Sequence, residues 1–181
     1  MLGYLAPPIH DPQCIALKLI DSYLSNGMSS RLFVELREKR GLAYDVSSFY
    51  PTRLDTSHFA VYMGTNPSNT SIAVNGLRAE VDRLCMEPLP ANELQTAKDK
   101  LLGQYALGKQ TNGQLAQTYG WYELLGLGVN FDQQFNKAIQ QLTSLQLQTA
   151  ADKYLSDPYI SIVSPQEQAA VGMLDDKLSI V

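Results

Sequence analysis

Histidine and cysteine are scarce in this sequence. There are two histidines, His10 and His58, and two cysteines, Cys14 and Cys85. No His-x-x-Glu-His and no Cys-x-x-Cys occurs, which argues against a catalytic zinc held by this chain alone. The cysteines sit among apolar neighbours and read as buried free thiols, not as a disulfide framework. A Gly-x-Ser-x-Gly nucleophile elbow is missing. "SNGMSS" carries one glycine and no suitable lysine, so it reads as a turn between helices and not as a phosphate loop. Charged residues are only 18% of the chain, and the net charge is -4. With no basic stripe, nucleic acid is not an expected partner. No run reaches the roughly 18 apolar residues of a membrane span. Met1–Pro8 also lacks the basic start and apolar run of a signal peptide. The chain is expected to be soluble, in a compartment the sequence leaves open.

What is present is enough for a packed core. Hydrophobic residues make up 45% of 181 residues, the balance of one globular domain. "LGYLAP" reads as a strand. Asp11-Pro12 opens a helix as cap and first-turn proline, with Ile15, Leu19, Ile20 and Leu24 as its apolar stripe. A second helix is expected over Arg31–Arg40, with Leu32, Phe33 and Leu36 inward. Gly41 ends it in a left-handed conformation. The following strand alternates, which places Leu42, Tyr44 and Val46 on one face and Ala43, Asp45 and Ser47 on the other. "TRLDTS" is the turn to a second strand through Phe59, Val61 and Met63. About five helices follow, the last opened by the capping box Thr143-Ser144-Leu145-Gln146. "YISIV" closes as a strand. The order predicts an α+β fold, a mainly antiparallel sheet with helices packed on one face.

Two residues in "SSRLFVELREKRGLAYDVSSFY" could work together. Arg37, Lys39 and Arg40 lie at a helix end, where cations meet the negative end of the dipole. Tyr44, three residues past Gly41, reads equally as a core-facing aromatic. The alternative is geometric. A guanidinium fork and a phenol either side of one turn can donate together to a carbonyl oxygen and stabilise a developing oxyanion.

The whole run "SNGMSSRLFVELREKRGLAYDVSSFY" resembles the second homologous domain of insulinase/pitrilysin-type zinc endopeptidases, which include the mitochondrial processing peptidase. "GYLAPPIHDPQCIAL", "ELQTAKDKLLGQYAL" and "YISIVSP" are similar to the flanking elements of that domain, so the likeness extends from Gly3 to about Pro165. The resemblance implies an active site shared between two domains. The first brings the inverted zinc motif and a distal glutamate. The second brings an arginine and a tyrosine, matched here by Arg37 and Tyr44. The implied function is the half of a metalloendopeptidase that binds no zinc, closing a peptide chamber on unfolded peptide substrates. The alternative is a non-catalytic core or scaffold subunit of the same fold. The chain by itself is expected to hold no cofactor and to be inactive, with zinc carried by a homologous partner domain or subunit. The domain is expected over residues 2–165, with 166–181 a weakly ordered tail. The family domain normally has sequence ahead of "LGYLAP", so the chain reads as either a natural short protein or a domain trimmed from a longer one.

Overall fold

The computed structural model describes residues 1–25 and 27–165, and the backbone of residues 178–180. Among the described residues five strands form one sheet in the order β2-β3-β1-β4-β5. They are β1 (Leu2–Ala6), β2 (Asp45–Phe49), β3 (Ser57–Gly64), β4 (Tyr159–Ile162) and β5 (Leu178–Ile180). All pairings are antiparallel except β4 with β5. Leu2 stands opposite Val61 on one side and Ile160 on the other. Residues 166–177 and 181, most of the expected tail, lie outside the described residues; Leu178–Ile180 pairs alongside Ile160–Ile162.

Among the described residues six α-helices accompany the sheet: α1 (Cys14–Ser25), α2 (Thr70–Met86), α3 (Ala91–Leu107), α4 (Asn112–Leu124), α5 (Phe131–Gln141) and α6 (Ser144–Leu155). α1, α2 and α6 lie on the sheet against β2, β3 and β1 respectively, and α3 and α5 pack on the outside of α1. The α+β expectation and the one-sided packing therefore hold. The core sits between layers. Leu2, Tyr4, Val46, Phe59 and Val61 point from the strands toward Leu17, Ile20 and Leu24 of α1 and Leu147, Ala151 and Leu155 of α6. Each large apolar side chain so buried contributes roughly 1.5–3 kcal/mol over its exposed state. The opposite sheet face stays open, with Leu5, Phe49, Tyr62 and Tyr159 exposed.

Local signals explain several boundaries. The Asp11 carboxylate accepts the Gln13 N–H at 2.7 Å, as the cap reading requires. Thr143 and Gln146 form the expected reciprocal capping box. Thr111 opens α4 in the same way, through a capping box with Gln114. The cysteines are both free, Cys14 buried and Cys85 half-buried. His10 is exposed in a turn, and His58 sets its ring edge-on to Phe49 at 5.6 Å. No helix among the described residues is long and apolar enough to cross a membrane.

Candidate functional site

The helix that carries Arg37 is wound differently from the sequence expectation. Residues Phe33–Glu38 form a π-helix, and the Lys39 N–H donates to the Val34 carbonyl five residues back. Such turns are rare and concentrate at functional sites. Leu32 and Leu36, four residues apart and so on one face, are fully buried while Arg37 stays outside; Phe33, expected inward, is only half-buried. Its ring instead lies under the Arg37 guanidinium, 5.0 Å from centroid to carbon, a contact that restrains the arginine.

The helix is held in place by a buried carboxylate. Glu80 of α2 is 5% exposed and accepts from Arg31 Nε at 2.7 Å and from Arg40 Nη2 at 3.4 Å. The two arginines bracket the π-helix, so one carboxylate fastens both ends. Gly76 allows the approach: a Cβ there would meet Leu36 Cδ2 at 3.1 Å. On the outer side, Glu35 pairs with Lys39 at 2.8 Å and Arg31 at 3.2 Å. The Lys39 hydrogen bond, helped by the charge of Arg31, holds the Glu35 carboxyl below the ordinary carboxylate range. Arg31, Lys39 and Arg40 are thus each engaged by a carboxylate. Among the described residues none pairs with Arg37.

Gly41 follows with φ +61°, the left-handed conformation expected of it. Its N–H donates to the Arg37 carbonyl at 3.2 Å, and the Leu42 N–H to the Leu36 carbonyl at 2.9 Å. Then the strand alternation breaks. The Tyr44 N–H donates to the Gly64 carbonyl at 2.8 Å, and Asp45 is also paired with Gly64. Two residues of one strand thus face one of the next, the pattern of a β-bulge. The extra residue reverses the phase. Tyr44 does not share the face of Val46 as the alternation predicts; Val46 is buried and Tyr44 is 71% exposed. The core-facing reading of Tyr44 is overturned for that reason. Arg37 and Tyr44 therefore project into solvent from the two sides of one turn, on a backbone fixed by Glu80, Gly41 and the bulge.

At the far end of β2, about 20 Å of strand away, lies a cavity of about 470 Å³. Lys18, Asp21, Ser22 and Ser25 of α1 form one wall, with Tyr50 and Thr52 beyond the end of β2. Trp121, Tyr122, Leu125, Phe131 and Phe135 supply much of the apolar remainder. Lys18 Nζ donates to Thr52 Oγ1 at 2.8 Å and lies 5.4 Å from the Tyr50 ring centroid. The Ser48 hydroxyl donates to Asp21 Oδ1 at 2.6 Å. Burial pushes the Asp21 carboxyl up and the Lys18 ammonium down from their ordinary pKa values.

The sequence analysis did not single out these residues. A signal was there: Lys18-x-x-Asp21-Ser22 occupies the i, i+3, i+4 positions that the inverted zinc motif fills with His, Glu and His. With an ammonium at the first position and a hydroxyl at the last, this face of α1 is no zinc ligand set. Among the described residues no group of three or more His, Cys, Asp or Glu could hold a metal.

The family model of the Peptidase M16 inactive domain matches residues 1–101. An uncharacterized zinc protease of Streptomyces coelicolor is 32% identical over 166 residues, spanning 91% of this chain and 36% of the relative. The uncharacterized zinc protease YmxG of Bacillus subtilis is 24% identical over 168 residues, spanning 91% of this chain and 40% of its own length. The chain thus spans well under half of these curated relatives. Among solved structures, a peptidase M16 inactive domain from Pseudomonas fluorescens superposes with TM-score 0.77 at 25% identity, covering 86% of this chain and 37% of that one. A protease from Helicobacter pylori shares the fold, with TM-score 0.78 at 24% identity, covering 86% and 38%.

Proposed function

This chain belongs to the Peptidase M16 inactive-domain family, and from that premise we propose that it is the zinc-free half of a metalloendopeptidase in which Arg37 and Tyr44 act on the scissile carbonyl of a peptide. A homologous zinc-bearing domain or subunit completes the chamber. When bound there, the metal supplies Lewis-acid activation of water. This chain's task is to receive charge. The Arg37 guanidinium and the Tyr44 hydroxyl donate to the carbonyl oxygen as it becomes an oxyanion. Fixed donors in a site closed off from water are worth most at that moment. The substrate enters as an unfolded, extended segment, since only such a chain presents its backbone between two opposed domains.

The observation that carries the proposal is the state of Arg37. It is the one basic side chain between Arg31 and Arg40 that no described carboxylate engages, on a π-wound turn adjoining an exposed tyrosine. A purely structural cation at a helix end would be expected to share in the Glu35–Glu80 network.

Peptide-cleavage kinetics of the chain joined to its zinc-bearing partner test it. Tyr44→Phe should cost about 2.7–4 kcal/mol of transition-state stabilisation, or roughly a hundred- to a thousand-fold in kcat/KM. Arg37→Ala should cost at least as much, because it removes a charged donor. Lys39→Ala is the control, since among the described residues Lys39 pairs only with Glu35, on the surface. Arg40 is a poor control because it ties into Glu80. Full activity in Tyr44→Phe, or an equal loss in Lys39→Ala, would remove the assigned roles and leave a non-catalytic scaffold subunit.

A further inference from the structure

We propose that the cavity beside α1 binds a small amphiphilic carboxylate, with its anionic head on the Lys18 ammonium and an aromatic or branched apolar body against Trp121, Tyr122 and Phe131. This stands apart from the Arg37–Tyr44 reading, since the two places lie at opposite ends of β2.

The volume, about 470 Å³, falls within the range of small-molecule sites. Polarity within it is segregated. Lys18, Asp21, Ser22 and Ser25 come from one face of α1, while the opposite wall from α4 and α5 is aromatic and aliphatic. A ligand matched to these walls has one polar end and one apolar end. The sign of the polar end follows from how the two charges are engaged. Asp21 accepts the Ser48 hydroxyl and the Tyr50 backbone N–H, so its carboxylate is directed at β2. Lys18 has three donors and makes one hydrogen bond among the described residues, to Thr52. The Asp21 carboxylate attracts it through space but forms no ion pair or hydrogen bond with it, so two donors stay open to a ligand. Its ammonium is half-buried and desolvated, which an arriving anion would relieve. A cationic head would meet that ammonium as a like charge, and a neutral one would leave its remaining donors underused. A bare phosphate would leave the aromatic wall without a partner.

The experiment uses the chain's single tryptophan. Trp121 lines the cavity and is 50% exposed, so a ligand covering it should shift its emission to the blue. N-acetyl-L-phenylalanine is the probe. N-acetyl-L-phenylalaninamide keeps the ring and loses the charge; acetate keeps the charge and loses the ring. The acid should shift Trp121 emission saturably and bind at least tenfold more tightly than either control. Lys18→Met keeps most of the stem and removes the cation; it should weaken the acid at least tenfold and leave the amide unchanged. Lys18→Arg should restore most of the affinity. Should Lys18→Met fail to fold, as its melting curve would reveal, the acid–amide comparison on the parent decides. A peptide ending in a free phenylalanine that binds as tightly as the probe assigns the site to peptide C-termini; one that fails assigns it to free aromatic acids. The proposal is overturned if the acid gives no saturable shift, if acid and amide bind alike, or if a folded Lys18→Met binds the acid as the parent does.

Discussion

The two ends of β2 are built on opposite plans. At its start, the backbone is tied down and two side chains, Arg37 and Tyr44, are exposed with no carboxylate partner among the described residues. Glu80 fastens the π-helix at both ends, Gly41 turns the chain, and the bulge at Tyr44–Asp45 re-aims the tyrosine outward. At its far end the side chains are the ones engaged and space is left over. α4 buries only Tyr122, and Trp121 and Leu124 remain exposed. Tyr122 hydrogen-bonds to Tyr105, which donates to Asp132 at 2.9 Å, and Lys109 also pairs with that carboxylate. Those polar contacts join α3, α4 and α5 without filling the gap between them and α1. A projecting pair of donors needs a stiff backbone behind it. A receptive cavity needs helices that meet at their edges and stay apart at the centre.

Breaking the stiff end should give the largest effect. Glu80→Ala would leave Arg31 and Arg40 without their shared buried partner. Losing one member of such a network typically costs about 3–5 kcal/mol, and the lower figure applies because both arginines keep some solvent. Denaturant unfolding should show a loss of about 3 kcal/mol, with Glu80→Gln intermediate. A change within experimental error would mean that the π-helix is held by Leu32 and Leu36 alone. Gly41→Ala comes next. No atom lies within 4 Å of an added Cβ, so the cost is the left-handed backbone itself, about 1–2 kcal/mol. A neutral result would show that this turn relaxes freely.

Glycines then separate the two ends more finely. Gly120 lies within α4 with nothing within 4 Å of a new Cβ, so Gly120→Ala should stabilise by about 0.8 kcal/mol through helix propensity alone. Gly76→Ala has the same propensity gain available but pushes against Leu36, and overpacking of about 1–3 kcal/mol outweighs it. Its melting temperature should fall where that of Gly120→Ala rises. If both rise, the contact between α2 and the π-helix is looser than its distances imply.

The smallest expected effect is one of shape with pH. Burial raises the Asp21 pKa, so the folded state holds that proton more tightly than the unfolded chain does. Stability from this group therefore falls as pH rises from the ordinary carboxylate value of about 3.9 through the raised one. Above that window the whole cost of the buried charge remains. Asp21→Asn removes it, so the melting temperature of the variant relative to the parent should improve as pH goes from about 4 to about 7. A difference that does not vary with pH would show that Asp21 is as well solvated in the fold as out of it.

The sequence by itself determined the element order as far as β4, the one-sided sheet, the left-handed Gly41, the Thr143 capping box and the family, because each rests on local chemistry or on a contiguous run of residues. Asp11 next to Pro12, or a glycine closing a helix, acts within a few residues whatever the rest of the chain does. Only the tertiary structure decided which face Tyr44 takes. Period-two alternation assumes one residue per partner, and the extra residue opposite Gly64 appears only when β2 and β3 are paired. Tertiary contacts also distinguished Arg37 from Lys39 and Arg40. The three are alike at a helix end in sequence, but Glu80 engages Arg40 from α2, forty residues downstream. The cavity was the least legible feature, because Lys18 on α1 and Trp121 on α4 are more than a hundred residues apart. Their common cavity exists only because α1, α3, α4 and α5 leave a gap when they pack.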